Sequence, residues 1–364
     1  MVLGEVLLSI VLVVFCGAIY AANRPCAVLP KAEITVTVCL AVIISMLAIF
    51  SVRSIYFGTD TLNYSWAFGS YCKSSYINGF RYTSSHVVDF FLINLMMLGT
   101  CMPGLLTFAW PALITFVLLC MNGSISRKLY FIALLFISVV GLEMTTNALR
   151  QGISTAFIMV ALSYWDRSKL ISAAAATLAV ATHSSAFLFI AVFFLASFSW
   201  RSFFLGFSAA IGLTLALLTM AKHINLLLAI ANVSFLKSFL FEISHYLLLS
   251  GEELVRVLAM ATVLGTIAAP WSVQRSLFEW ESLLQKPGYN LALKLAMTCI
   301  PFAFVPYFGY RFIYGVYPAI LWYTLSSVRP QTIERAFFYI FLANVTISLA
   351  WAFGSSHMRE LPFF

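Results

Sequence analysis

Asn147, Arg150, Gln151 and Ser154 stand at i, i+3, i+4 and i+7 in the stretch NALRQGISTAFIMVALSYWDRSK. On a helix that spacing makes one polar stripe over the first two turns, at the head of an otherwise apolar run. The stripe must turn towards protein or water, because an arginine at the centre of a bilayer costs about 2.5–3.5 kcal/mol and is normally paired or at work. Arg150 offers a planar fork of donors that matches a phosphate group. It equally suits a snorkelling anchor at a helix end, or a partner for Glu143.

Three other stretches carry chemistry of a compatible kind. His183 closes an apolar run in AVATHSSAFLFIAVFF; its imidazole titrates near pH 6.5 and can take a proton from a hydroxyl group, or simply cap the helix. In RSIYFGTDTLNY, Gly58 allows a tight turn and Asp60 supplies either a base or an ordinary solvated turn residue. Arg53 opens the same segment. In VPYFGYRFIYGVYP, an aromatic belt at the headgroup level accounts for most of Tyr307, Tyr310, Tyr314 and Tyr317, but not for Arg311 between two apolar runs. The catalytic candidates are therefore His183, Asp60, Arg150 and Arg311, with Arg53, Asn147, Gln151, Tyr310 and Tyr314 as substrate-binding candidates. Between the two proton acceptors His183 is favoured, since its ordinary pKa is matched to neutral pH and that of an exposed aspartate is not.

The elements that position these residues are membrane helices. Apolar residues make up 62% of the 364-residue chain and charged ones 9%, against about 45–50% and about 25% in soluble domains. Long continuous apolar runs, without strand-like alternation, call for helices and not a closed barrel. Spans are expected near 2–22, 34–52, 104–121, 129–143, 148–165, 169–182, 185–200, 203–221, 253–270, 290–308, 312–328 and 334–353. The fold class is thus an all-α polytopic integral membrane protein of about 11–13 transmembrane helices, one domain over residues 1–364. Segment 53–103 reads as an outer loop with an interfacial or re-entrant helix, and 222–252 as a second outer loop, both periplasmic if the resemblance given below holds.

With the N-terminus outside, Arg24, Lys31, Arg127, Lys128, Arg167, Lys169, Arg201, Arg275, Lys286, Arg329 and Arg335 crowd into short cytoplasmic connections. Asp60, Arg150, Gln151, His183 and Arg311 then share the outer face. The net charge of +8 is scattered singly, with no basic patch for nucleic acid. Seven cysteines without CxxC spacing read mostly as small core residues, and Glu5 with no early basic residue argues for an uncleaved first span. No HExxH, GxSxG, P-loop or GxGxxG occurs, which leaves zinc proteolysis, ATP hydrolysis and Rossmann cofactor chemistry unsupported. His86 with Asp89, and Glu242 with His245, have metal-compatible spacing but no further ligand nearby, so no metal site is assigned.

In this order, RxxxxGTDTxxY at Arg53–Tyr64, NALRQGIS at Asn147–Ser154, LAVATHSSAF about thirty residues on, and the late YRFIYxxYP resemble the bacterial Wzy-type O-antigen polymerases and EpsG-like exopolysaccharide polymerases. Members often carry a Glu-containing segment after the GTD loop; this chain reads NGFRYTSSHVVDFF, with Asp89 the nearest acid. The resemblance implies a multi-pass enzyme of the bacterial inner membrane, similar to metal-independent lipid-linked glycosyltransferases, with no cofactor. Its substrate would be an undecaprenyl-pyrophosphate-linked oligosaccharide, and its partners membrane lipids and a chain-length-regulating co-polymerase of the Wzz type. Arg150 and Arg311 would then stabilise departing pyrophosphate, and His183 or Asp60 would take the proton. The rival readings are a polysaccharide or lipid-linked oligosaccharide flippase, which would spread charge through the depth of the bundle, and a membrane acyltransferase, which would want a histidine on the cytoplasmic side.

Overall fold

The computed structural model describes residues 31–52, 103–146, 148–183, 185–221, 253–273, 277–302, 308–329 and 332–354. The first expected span, the two proposed loops, Arg53, Asp60 and Asn147 lie outside these described residues. Within them there are thirteen helices and no strand: α1 Lys31–Val52, α2 Pro103–Leu119, α3 Ile125–Ile137, α4 Val139–Thr146, α5 Leu149–Tyr164, α6 Lys169–Thr182, α7 Ala186–Ser197, α8 Trp200–Ala221, α9 Glu253–Val273, α10 Leu277–Leu284, α11 Pro287–Phe302, α12 Phe308–Ser327 and α13 Ile333–Gly354. Within the described residues the apolar runs thus become helices close to the expected bounds. Leu254–Trp271 and Ile333–Trp351 are long and apolar enough to cross a bilayer. The fold is that of an all-α membrane protein.

One expected span is not a single rod. The run near 129–143 divides into α3 and α4, bent by 84° at Ser138. Ser138 takes an extended conformation, φ −79° and ψ 151°, which ends α3. Its Oγ donates to Leu135 O at 2.6 Å and accepts from Gly141 N–H at 3.0 Å, closing one helix and starting the next. A Cβ on Gly141 would lie 1.8 Å from Leu135 O, so the bend has room only for glycine. Helix α10 is the other departure, since its charged sequence LFEWESLL gives no apolar run to mark it.

Helices α3 and α12 form the centre. Phe131, Ile132, Ala133 and Leu134 on α3, and Ile313, Tyr314, Val316 and Tyr317 on α12, are all fully buried. Within lipid, helices are held by close packing and interhelical hydrogen bonds more than by hydrophobic drive. Tyr317 Oη joins Thr266 Oγ1 of α9 and Asn344 Nδ2 of α13, each at 3.2 Å, and that amide also donates to Leu134 O at 3.2 Å. Four helices are tied at one level by this group. Tyr289 Oη of α11 donates to Ile267 O of α9 at 2.8 Å, and buried Lys294 of α11 donates to Phe198 O at the end of α7. Lys294 caps α7 from a neighbouring helix, a role its isolated place in an apolar run did not signal.

Candidate active site

Four helix ends meet at one end of the bundle: the starts of α5, α7 and α12, and the finish of α6. Helix α5 begins beyond Ala148, whose φ of −100° and ψ of 55° are not helical and whose N–H donates to Glu143 O at 2.8 Å. Arg150 and Gln151 therefore fall in its first turn. The polar stripe faces inward: Gln151 is 3% exposed and Ser154 fully buried, with Arg150 half-buried. Gln151 Nε2 donates to Arg311 O, which joins the start of α5 to the start of α12.

The same stripe places the histidine. Ser154 Oγ donates to Ala179 O at 2.8 Å, and that carbonyl also accepts the N–H of His183 at 3.0 Å. Extended backbone at His183, φ −155° and ψ 124°, ends α6 there, and its carbonyl accepts the N–H of Ala186 at 3.0 Å as α7 begins. Helix α7 is then set against α12 by Phe189, whose ring occupies the space over Gly315; a Cβ there would lie 2.0 Å from it. Gly315 follows Arg311 by one turn, so this contact brings the head of α7 to the face that carries Arg311. Phe189 and Phe312 extend the contact, with ring centroids 6.1 Å apart.

His183 lies in the connection between α6 and α7, and its pKa is lowered from 6.5 to about 4 by burial first, then by the positive charges of Arg150 and Arg311. Two residues separated by 161 positions in sequence thus bear on one imidazole. The ring is neutral at pH 7, and its tautomer is fixed. Ser185 N–H donates to Nδ1 at 3.2 Å, so Nδ1 is the bare nitrogen and Nε2 carries the hydrogen. Ser185 Oγ, 2.7 Å from Nδ1, donates to the same lone pair. Two guanidinium charges that bear on one neutral imidazole can help to hold an anion. The sequence-level ground for favouring His183 over Asp60, a pKa near neutrality, does not hold in this surrounding.

The tyrosines divide. Tyr310 is 8% exposed and packs its ring 5.3 Å from that of Tyr314, tilted by 56°. Tyr314 and Tyr317 are fully buried, so both belong to the core and neither to a headgroup belt. Ser185 is the residue before α7, the turn and N-cap place that the sequence suggests for the serines after His183, whereas Phe189 and Gly315 went unmarked, although a glycine one turn after an arginine was an available signal. Among the described residues no group of three metal-ligating side chains converges.

A family model described as the EpsG family matches residues 36–363. No curated protein and no solved structure matches the chain.

Proposed function

The chain belongs to the EpsG family, a membership that carries a polymerase-type role in membrane polysaccharide biosynthesis, and we propose that it extends a glycan held on undecaprenyl pyrophosphate. A terminal hydroxyl of a new lipid-linked repeat unit attacks the anomeric carbon of the growing chain. The new C–O bond forms as the bond from that carbon to the pyrophosphate oxygen breaks, and the electron pair leaves with the pyrophosphate. Direct displacement inverts the anomeric centre. The observation that carries this reading is the convergence of Arg150, Arg311 and His183 at one end of the bundle.

Pyrophosphate is already a good leaving group, so the site's main task is to hold the charge that departs. Arg150 and Arg311 do this as paired forks, and Nε2–H of His183 adds a neutral donor. Donors fixed by Gln151, Ser154 and Ser185 need no rearrangement when charge develops. Because bond cleavage leads, a weak base suffices for the attacking hydroxyl, and the proton acceptor falls to Asp60. Arg53, Asn147 and Tyr310 complete the substrate contacts, and Gln151 and Tyr314 support them from within.

The chain is multi-pass in the inner membrane with this end towards the periplasm, and works with a chain-length-regulating co-polymerase. A flippase remains the rival, but the guanidiniums of Arg150 and Arg311 both bear on His183 at a set of helix ends, which suits chemistry at an interface better than a path through the bundle. Deleting the gene and running surface polysaccharide on a gel tests the proposal. Single capped repeat units in place of a ladder are expected; loss of all surface glycan, the repeat unit included, would favour the flippase.

A further inference from the structure

A second concentration of charge lies at the opposite end of the same bundle, away from the polymerase chemistry. Arg311 and Ser327 are sixteen residues apart on α12, which at 1.5 Å per residue sets their ends about 24 Å apart, close to the depth of a bilayer's hydrocarbon. There the first turn of α3, the α10–α11 turn and the end of α12 enclose a cleft of about 560 Å³. Arg127, Lys286 and Arg329 line it together with Tyr323 and Ser326, and the described lining includes no carboxylate. Asp166, an exposed residue, acts electrostatically on Tyr323 from nearby.

Each cation comes from a different segment, and the backbone brings them close. Lys286 Nζ donates to Ser327 O at 2.7 Å, which ties the turn before α11 to the end of α12. One of its three protons is used there and two remain. Gly288 fits against Ser327, where a Cβ would come within 2.7 Å of Oγ. Arg127 Nε is enclosed and has no hydrogen-bond partner among the described residues. Lys286 has its pKa lowered by burial and by the charge of Arg329, which places the two cations close to one another.

We propose that this cleft binds a phosphate group, held between the forks of Arg127 and Arg329 with Lys286 as a third, point-like donor. Forks match the tetrahedral oxygens of phosphate, and basic pockets between membrane helices on the cytoplasmic side take anionic headgroups. The cleft is larger than one phosphate, which leaves room for the rest of a headgroup or of a soluble phosphate compound. This reading does not depend on the polymerase assignment.

The test uses the full chain purified in detergent. Native mass spectrometry would compare retention of phosphatidylglycerol with phosphatidylcholine, and a thermal-shift series would add inorganic phosphate or pyrophosphate without lipid. Preferential retention of phosphatidylglycerol identifies a lipid headgroup as the source; a stabilising shift with the soluble anions alone identifies a soluble phosphate. In either arm the Arg127→Gln/Arg329→Gln double variant should weaken the effect at least tenfold. Exposed Arg335 as Arg335→Gln should leave it unchanged. Equal retention of both lipids by the wild type together with no shift from either anion overturns the proposal, whether or not the double variant accumulates. So does an effect that survives in a stably folded double variant.

Discussion

Arg150 poses the sharpest question at the level of a single side chain. A residue that only anchors a helix end tolerates lysine, because both side chains snorkel and both are positive. One that grips pyrophosphate through two parallel bonds loses its fork while keeping its charge. Arg150→Lys is therefore expected to be nearly as inactive as Arg150→Ala, a fall of roughly ten- to hundredfold from losing a charge-assisted bond of about 1.5–3 kcal/mol, and Arg311→Lys should follow the same order. Polymer length in complemented deletion strains reads this out. His183 separates two roles in a similar way. If Nε2–H is a donor, His183→Gln, which keeps an N–H, should retain more activity than His183→Ala; equal loss in both would return the residue to the part of base. Its titration gives a second readout. A pKa of about 4 in the fold, below the ordinary 6.5, means that the neutral ring is the folded state's form. Its contribution to stability is complete above about pH 6.5 and is lost as pH falls towards 4, because the unfolded chain binds the proton more readily. Thermal unfolding of the wild type should weaken across that window more than that of His183→Gln.

At the scale of elements, the apolar runs were legible because a bilayer demands long stretches of one character, and the stripe on α5 was legible because Arg150, Gln151 and Ser154 kept helical spacing. The bend at Ser138 was not. A serine and a glycine three residues apart are ordinary within a membrane helix, and only the hydrogen bonds of Ser138 with Leu135 and Gly141 reveal the turn. The tautomer of His183 was hidden for a related reason: it depends on a bond two residues away that exists only because α6 stops in extended backbone. The packing of α7 on α12 likewise lives in a pair, Phe189 with Gly315, that no periodicity announces. Gly315→Ala should press a methyl into the Phe189 ring, push α7 away from Arg311, and destabilise by about 1–3 kcal/mol. Phe189→Leu in the same chain should restore part of the loss in both thermal stability and polymer length. No restoration would mean that the two residues do not act as one contact.

For the whole molecule, the proposed chemistry requires one end of the bundle to face the periplasm and the other the cytoplasm. In a cysteine-free background, His183→Cys, Asp60→Cys and Ser355→Cys should react with a membrane-impermeant thiol reagent applied outside, and Ser168→Cys should not. Labelling at position 168 from outside would reverse the orientation and turn the phosphate cleft outward. Charge lies at both ends, with a core of Phe, Ile, Leu and Tyr on α3 and α12 between them. The claim that this end makes glycosidic bonds is tested most directly by the purified chain in liposomes containing undecaprenyl-pyrophosphate-linked repeat units, with the products extracted and resolved by size. Oligomers of two or more units are expected, with one freed undecaprenyl pyrophosphate for each new linkage, and loss of both with Arg150→Lys. Repeat units that change leaflet but never lengthen would contradict the claim.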